Sequence, residues 1–284
     1  MRGVSAFGQR LRELGWIEGQ NLVIETGWTE GRSDRLPALL GDIFKRKVDV
    51  LVTYSTPAAV AAKKATSTVP IVVAGMADPV GSGLVQSLGR PGGNLTGLSL
   101  GYSEEFSGKW LELLREVVPQ LFTVAVISNP DNPADRELRR QIESVAPKSG
   151  VKVRFIDVRE PQALPKAFQN ARQIAQAILV FPDPITVNHR QTVVEIATKQ
   201  RLPSLYVFRD FVEVGGLMSY GVDQDFLFRR AAEFVDMILN GSKPADIPIE
   251  QPTRFTLAIN LRTARALGIT IPQSVLLRAD EVIK

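Results

Sequence analysis

The chain has 284 residues, of which 44% are hydrophobic and 23% charged, so it can bury a large core as one large or two medium-sized domains. Its net charge of +4 comes from scattered lysine and arginine, which excludes the basic, aromatic-interleaved runs of nucleic-acid-binding proteins. The absence of cysteine excludes disulfides and thiolate metal sites, and no apolar run is long enough to cross a membrane, so we expect neither nucleic-acid binding nor direct membrane insertion.

The first part of the chain predicts alternating helices and strands. Residues 1–14 form a helical pattern, because Phe7, Leu11 and Leu14 recur at helical spacing before Gly15, and this segment lacks the hydrophobic core of an export signal. The following strands are expected at 21–25, 48–54, 70–75 and 98–100, with helices at 34–47 and 57–66.

The second part repeats this alternation. Strands are expected at 122–128, 151–158, 177–181 and 203–207, with helices at 133–147, 161–174 and 184–200. A long amphipathic helix at 223–240, an extended segment at 247–260 and a short helix at 261–268 complete the pattern. Two consecutive series of strand–helix units predict an α/β protein with two similar Rossmann-like lobes.

Four junctions between a predicted strand and the next helix share a capping residue followed by proline. They are Thr56-Pro57, Asp78-Pro79, Asn132-Pro133 and Asp183-Pro184. The pair is typical of a helix N-cap followed by the first helical residue. In a parallel sheet such helix starts share one edge, where free amides attract anions, so the pairs indicate either capping alone or capping beside a ligand.

No motif of an enzyme is present in the sequence. His189, the single histidine, falls within a predicted surface helix, which excludes most catalytic triads. A nucleophile elbow, a phosphate-binding loop and histidine-rich metal spacing are missing, and no third glycine completes a dinucleotide fingerprint after Gly81 and Gly83. We therefore expect a binding protein without catalytic residues, cofactor or metal.

Several long stretches carry a family resemblance from about residue 7 to the C-terminus. They are "LRELGWIEGQNLVIE", "EGRSDRLPALL", residues 55–99, "FVEVGGLMSYG" and "PADIPIEQPTRFTLAINLRTARALGITIP". These stretches resemble the TrpX-like substrate-binding proteins of ABC transporters. The resemblance implies the type I periplasmic-binding fold and an extracytoplasmic solute-binding component of an ABC importer, which captures a small organic ligand in an inter-lobe cleft by hinge closure and hands it to a membrane permease.

The resemblance also has implications for the start of the chain and for the lobes. Family members begin with an export signal, a strand and a loop before the helix that matches residues 4–14, so we expect a start downstream of the true one or a trimmed chain, with the first strand of lobe 1 missing. We expect a periplasmic or otherwise extracytoplasmic protein. Three crossings between lobes place residues 1–101 and 222–250 in lobe 1, and 102–221 and 251–284 in lobe 2.

The family motifs also place the candidate ligand-binding residues at strand ends. In lobe 1 these are Tyr54, Ser55, Thr56, Ala74, Gly75, Met76 and Asp78. In lobe 2 these are Asn129, Asn132, Phe181, Asp183, Phe208, Arg209, Asp210, Ser219 and Tyr220. The aromatic residues could enclose a flat ligand or belong to the core.

The same residues suggest an aromatic amino acid or a related carboxylate as the ligand. A carboxylate would bind the amides of residues 57–59 together with the hydroxyls of Ser55 and Thr56. An ammonium group would need Asp183, Asp210 or Asp78, although Asp78 could instead cap its helix. The alternative function is the ligand-sensing core of a transcription regulator of similar fold, for which no DNA-binding helix-turn-helix is visible.

Overall fold

The structure is a computed structural model, which describes residues 2–284. Its helices are α1 (Arg2–Glu13), α2 (Leu36–Lys45), α3 (Thr56–Ala65), α4 (Glu104–Val117), α5 (Asp135–Val145), α6 (Leu164–Ile174), α7 (Pro184–Asn188), α8 (Arg190–Lys199), α9 (Asp210–Glu213), α10 (Gln224–Leu239), α11 (Leu261–Leu267) and α12 (Gln273–Leu276). Its strands are β1 (Leu51–Thr53), β2 (Ile71–Met76), β3 (Leu95–Ser99), β4 (Thr123–Ser128), β5 (Lys152–Asp157), β6 (Ala177–Val180), β7 (Ser204–Tyr206), β8 (Met218–Gly221), β9 (Thr256–Asn260) and β10 (Glu281–Ile283).

The chain divides into two compact units. Unit 1 comprises the chain up to Gly101 together with residues 223–253, and unit 2 comprises residues 102–222 and 254–284. Each unit contains strands that alternate with helices, as expected where continuous apolar runs form a parallel sheet covered by amphipathic helices.

Unit 1 is built on the parallel three-stranded sheet β1-β2-β3. Every residue of β2 is buried, since the apolar run "IVVAGM" forms the central strand and is covered on both faces. Side chains from β1, β2 and α3 meet in one apolar core with Leu40 of α2 and Ile249.

Unit 2 is built on a seven-stranded sheet with the order β10-β9-β8-β7-β6-β4-β5. All neighbouring strands are parallel except β8 and β9. The strand order reverses beside β4, which lies between β5 and β6. In open α/β sheets ligands bind outside the carboxyl ends of the strands at such a point. The loops after β4 and β6 are therefore candidates for a ligand-binding site.

Two expected elements differ in the structure. Residues 21–25 form no strand: within the described part of the chain their only ladder contact is the isolated bridge between Glu18 and Leu22. A strand forms only when a neighbouring strand pairs with its backbone amides and carbonyls. An apolar, β-branched pattern favours a strand but does not provide that partner. The helix expected at 184–200 is interrupted at His189, whose backbone leaves the helical region and whose ring nitrogen Nδ1 lies 2.9 Å from the carbonyl of Ile185.

Helices α1 and α10 pack together in unit 1. Gly3 of α1 lies against the ring of Phe228, and a side chain at this position would overlap that ring. Beyond this contact, Trp16 donates its indole N–H to Asp236 at 2.9 Å, and Glu13 accepts from Arg229 at 2.7 Å. No helix among residues 2–284 combines the length and apolarity that a membrane crossing requires.

The ion pairs of Glu13 predict a pH-dependent stability. Hydrogen bonds from Arg229 and Arg10 lower the pKa of Glu13 from 4.5 to about 2. Because this pKa is depressed in the folded state, the stabilisation is present above pH 4.5 and is lost as the pH falls towards 2. We expect Glu13→Gln to lower the melting temperature at about pH 7, and the difference from the unmodified protein to narrow at about pH 3.

Thermal unfolding followed by circular dichroism across this pH range measures the effect. Glu143→Gln, at an exposed position on α5, is the control and should leave the curve unchanged. A difference for Glu13→Gln that stays constant with pH would contradict the assignment of the stabilisation to the ionised carboxylate.

Candidate functional site

The loops after β1 and β2 are joined at the carboxyl edge of the unit 1 sheet. The amide of Ser55 donates to the carbonyl of Gly75 at 2.9 Å, and the hydroxyl of Thr56 accepts from the amide of Ala77 at 2.9 Å. Thr56 is buried, and its hydroxyl also lies 3.2 Å from the carbonyl of Ala77. The side chain of Thr56 therefore connects two loops of the protein.

The start of α3 differs from the expected cap. Ser55, not Thr56, is the N-cap residue, because Thr56 already has helical geometry and its hydroxyl is bonded to Ala77. The expected set of amides at 57–59 also changes: Pro57 has no N–H, and the amide of Ala59 donates to the carbonyl of Ser55. The first amides of an α-helix have no intrahelical acceptors. In α3 these are the amides of Thr56 and Ala58.

Asp78 caps a turn and not a helix. Residues 79–83 form turns, and Oδ1 of Asp78 accepts from the amide of Gly81 at 2.8 Å. A Cβ at position 81 would lie 2.0 Å from the Asp78 carboxylate, so a side chain there would force the carboxylate to move. The expected helix after Pro79 is therefore wrong, because the left-handed backbone of Asp78 and Gly83 closes the chain into a tight turn.

Ser55 and Asp78 share an unusual backbone conformation. Ser55 has φ 86° and Asp78 has φ 42°, both in a region that residues other than glycine rarely occupy. Such positions cost of order 1–3 kcal/mol each and are concentrated at ligand-binding and active sites. Both residues are half-buried and follow the adjacent strands β1 and β2, so two such positions lie at one edge of the unit 1 sheet, while Glu30 and Lys47 have positive φ elsewhere in this unit.

The other candidates of unit 1 divide into core and edge. Ala74 and Met76 are fully buried in β2, as expected for a strand covered on both faces. Tyr54 is half-buried: its ring packs on Phe228 at 5.4 Å, and its hydroxyl accepts from Nε2 of Gln224 at 2.8 Å. Gln224 and Phe228 were not among the predicted site residues, because no sequence signal relates the start of a late helix to the end of β1.

Unit 2 brings Asn129, Asn132 and Asp183 together beside the reversal in strand order. Oδ2 of Asp183 accepts from Nδ2 of Asn129 at 3.2 Å and from Nδ2 of Asn132 at 3.0 Å, while Oδ1 accepts from the amide of Ile185 at 2.8 Å. Burial raises the pKa of Asp183, although these donors favour the ionised carboxylate. One buried carboxylate thus holds the loops after β4 and β6 together.

The two proline junctions of unit 2 have different geometries. At Asp183-Pro184 the prediction is confirmed: Asp183 is the N-cap, Pro184 is the first helical residue, and Thr186 completes a capping box. At Asn132-Pro133 it is wrong, because α5 begins only at Asp135. The side chain of Asn132 accepts from the amide of Ala134 and forms a turn before the helix.

A charged cluster that the sequence analysis missed lies at the ends of β4 and β5. Arg139 donates to Asp135, to the hydroxyl of Ser128 and to Asp157, and its guanidinium lies 4.5 Å from the ring centre of Phe155. Burial raises the pKa of Asp135. The cluster braces the edge beside the Asp183 network, and its only sequence signal is the helical spacing of Asp135 and Arg139.

The remaining candidates of unit 2 lie mostly in its interior. Phe181, Phe208 and Ser219 are buried, and Phe181 lies 6.0 Å from Trp110 between ring centres. This packing favours the core interpretation that the sequence left open for the two phenylalanines.

Three further candidates lie at the surface or partly buried. Arg209 pairs with Glu281 of β10 and with Glu213, and thereby holds the last strand of the sheet. Asp210 is the first residue of α9, and Tyr220 stacks on Phe106 at 5.2 Å. Within residues 2–284 no group of three or more histidine, cysteine, aspartate or glutamate residues is arranged to hold a metal ion.

Comparison with known proteins agrees with this architecture. A family model for ABC transporter substrate binding proteins matches residues 2–283. The chain belongs to this family. Among its relatives, a tyrosine-binding protein from Clostridioides difficile (strain R20291) is 26% identical over 263 residues, which span 93% of this chain and 75% of that protein. The resemblance identified in the sequence is confirmed.

Two solved structures are similar to this substrate-binding protein over nearly its whole length. The ABC domain from Streptococcus pneumonia in complex with L-Trp is 28% identical with a TM-score of 0.92, and the alignment covers 99% of this chain and 94% of that chain. A conserved domain protein from Vibrio cholerae is also 28% identical with a TM-score of 0.93, at 99% and 94% coverage. The type I periplasmic-binding fold is therefore confirmed.

The Asp183 network of the substrate-binding protein predicts a larger loss of stability than a simple cap. Asp183→Ala removes an N-cap and also leaves the buried amide group of Asn132 and the partly buried amide group of Asn129 without their acceptor. Asp223→Ala removes only an exposed N-cap, that of α10, and should cost about 1 kcal/mol. We expect Asp183→Ala to cost about 1–3 kcal/mol more than Asp223→Ala.

Urea unfolding of both variants measures the difference in free energy. Equal losses would contradict a bridging role of the Asp183 carboxylate and would leave it only as the cap of α7.

Proposed function

We propose that this protein is the extracytoplasmic solute-binding component of an ABC importer and that its ligand is an aromatic amino acid or a related aromatic carboxylate. Family membership supports solute binding and delivery to a permease. The ligand class is supported by a relative described as a tyrosine-binding protein and by a similar structure that contains L-Trp. Since substrate-binding proteins of ABC importers work outside the cytoplasm, we infer the same location for this chain.

The observation that carries the proposal is the strained pair Ser55 and Asp78. Ser55 follows β1 and Asp78 follows the adjacent parallel strand β2. Ser55 is also the N-cap of α3. The hydroxyl of Ser55 and the amides of Thr56 and Ala58 offer hydrogen-bond donors at the positive end of the helix dipole, which suits a carboxylate. The half-buried carboxylate of Asp78 supplies a negative charge at the same edge, which suits an ammonium group.

The aromatic part of the proposed ligand is supported by Tyr54. Its ring is half-buried at the same sheet edge as Ser55 and Asp78. A tyrosine combines a flat apolar face with a polar end, and stacking of aromatic rings adds about 0.5–1.5 kcal/mol beyond the burial of area. Groups of these kinds can hold a ligand by hydrogen bonds, charge and ring stacking, and we infer capture without chemical conversion.

Ligand identity is tested first on protein purified from its native host. Mass spectrometry identifies what copurifies, and calorimetry then measures L-tryptophan, L-tyrosine, L-phenylalanine and 4-hydroxybenzoate, with L-leucine as the apolar control. Binding of an aromatic amino acid in preference to L-leucine is the expected result. Binding of 4-hydroxybenzoate alone would select a carboxylate without an ammonium group, and turnover of any bound compound would contradict a binding role.

Ser55→Gly separates backbone strain from ligand recognition. Glycine relieves the left-handed conformation, so the free energy of unfolding should rise by about 1 kcal/mol. The loss of the hydroxyl should weaken binding of the aromatic amino acid about five- to ten-fold. Lys47→Gly is the matched control, because Lys47 has φ 56° at an exposed position of unit 1. This control should gain stability with unchanged affinity, and unchanged affinity in Ser55→Gly would remove Ser55 from the site.

Asp78→Asn tests the proposed ammonium partner. Removal of the carboxylate should weaken binding of an amino acid by about 2–5 kcal/mol, because a buried ammonium group would lose its counter-charge. Binding of 4-hydroxybenzoate, which has no ammonium group, should not weaken. Calorimetry measures the affinity of this variant for both ligands. An equal loss of affinity for both would show that Asp78 acts only by stabilising the turn at 79–83.

A further inference from the structure

Tyr54 is held from three sides within unit 1. We propose that Gln224 is a positioning residue, which fixes the phenol of Tyr54 in one orientation so that its ring can recognise a flat ligand. This inference rests on the proposed function, because it assumes that Tyr54 contacts the ligand. Gln224 lies far along the chain from Tyr54, and only the fold brings the two together.

The ring of Tyr54 is confined by Gly75 and Phe228. A Cβ at position 75 would lie 3.0 Å from Cε2 of Tyr54, so the absence of a side chain lets the ring lie directly against β2. Phe228 packs against the ring with centres 5.4 Å apart and planes tilted by 31°. Phe228 is itself supported by Gly3 of α1, whose added Cβ would lie 2.3 Å from the phenylalanine ring.

The hydroxyl end of Tyr54 is confined by Gln224. Nε2 of Gln224 donates to the phenol oxygen at 2.8 Å. Gln224 is the first residue of α10, and Asp223 caps that helix by accepting from the amide of Asp225. The start of a capped helix therefore places the side-chain amide of Gln224 beside the end of β1.

Holding the ring at its face and at its hydroxyl reduces the entropy lost when a ligand packs against it. A side chain that is mobile before binding loses conformational entropy when it is immobilised, and a preorganised side chain avoids that cost. The N–H donor of Gln224 also stabilises the ionised phenolate relative to the neutral phenol. The contact can therefore be measured in the absence of any ligand.

The first experiment measures the ionisation of Tyr54. The chain has four tyrosines, so subtracting the ultraviolet pH titration of Tyr54→Phe isolates its phenol. Gln224→Met keeps the side-chain length but removes the donor, and it should raise the pKa of Tyr54. Gln224→Glu places a negative charge there and should raise this pKa further. Gln191→Met, which removes a hydrogen bond to Glu195 on α8 of unit 2, is the control and should change nothing.

The second experiment measures binding of L-tryptophan, L-tyrosine and L-phenylalanine by calorimetry. Gln224→Met should weaken binding about five- to ten-fold in the unmodified background. In the Tyr54→Phe background the same change should have little effect, because the contact is already lost. Equal effects in both backgrounds would overturn the positioning role, since Gln224 would then act independently of Tyr54.

The two experiments distinguish failure of the inference from failure of the proposed function. An unchanged pKa of Tyr54 in Gln224→Met would overturn the contact itself. A shifted pKa with unchanged affinity would overturn its role in recognition. If the unmodified protein binds neither the three amino acids nor 4-hydroxybenzoate, the proposed ligand class is overturned together with recognition by Tyr54, whereas the titration would still decide the contact between Gln224 and Tyr54.

Discussion

The amide of Ser55 donates to the carbonyl of Gly75, and the hydroxyl of Thr56 bonds to the backbone of Ala77, so the loops after two adjacent strands are held to each other. These bonds satisfy polar groups that would otherwise be unpaired where the ladder ends. They also help to hold Ser55 in its left-handed backbone conformation. A strained residue persists only where its surroundings over-determine it.

In unit 2 a side chain holds the loops after two adjacent strands together. Asp183 is buried and accepts from two asparagine side chains and one backbone amide, so a single carboxylate joins the loops after β4 and β6. Burying a charge is costly unless donors surround it, and here three N–H groups do so. The two units thus stabilise the carboxyl edges of their sheets with different groups, a backbone and hydroxyl link in one and an amide-carboxylate network in the other.

The four proline junctions show that a local sequence pattern does not determine whether a helix cap or a turn forms. Asp183-Pro184 caps a helix as predicted, whereas Ser55 replaces Thr56 as the cap, Asp78 caps a turn, and Asn132 forms a turn before its helix. The capping residues and proline favour a chain reversal, but several reversals satisfy the same preference. Which one forms depends on partners from other elements, such as Ala77 for Thr56 and the absence of a side chain at Gly81 for Asp78.

The alternation of apolar runs and amphipathic segments determined the α/β class and most elements, because the periods of strand and helix are written in neighbouring residues. The long ordered stretches determined the family. Only the tertiary structure decided that residues 21–25 form no strand, that Phe181 and Phe208 lie in the core, and that Gln224 meets Tyr54. Each of these outcomes depends on which distant segment becomes a neighbour, since strand pairing, burial and long-range hydrogen bonds are properties of pairs of segments and not of one.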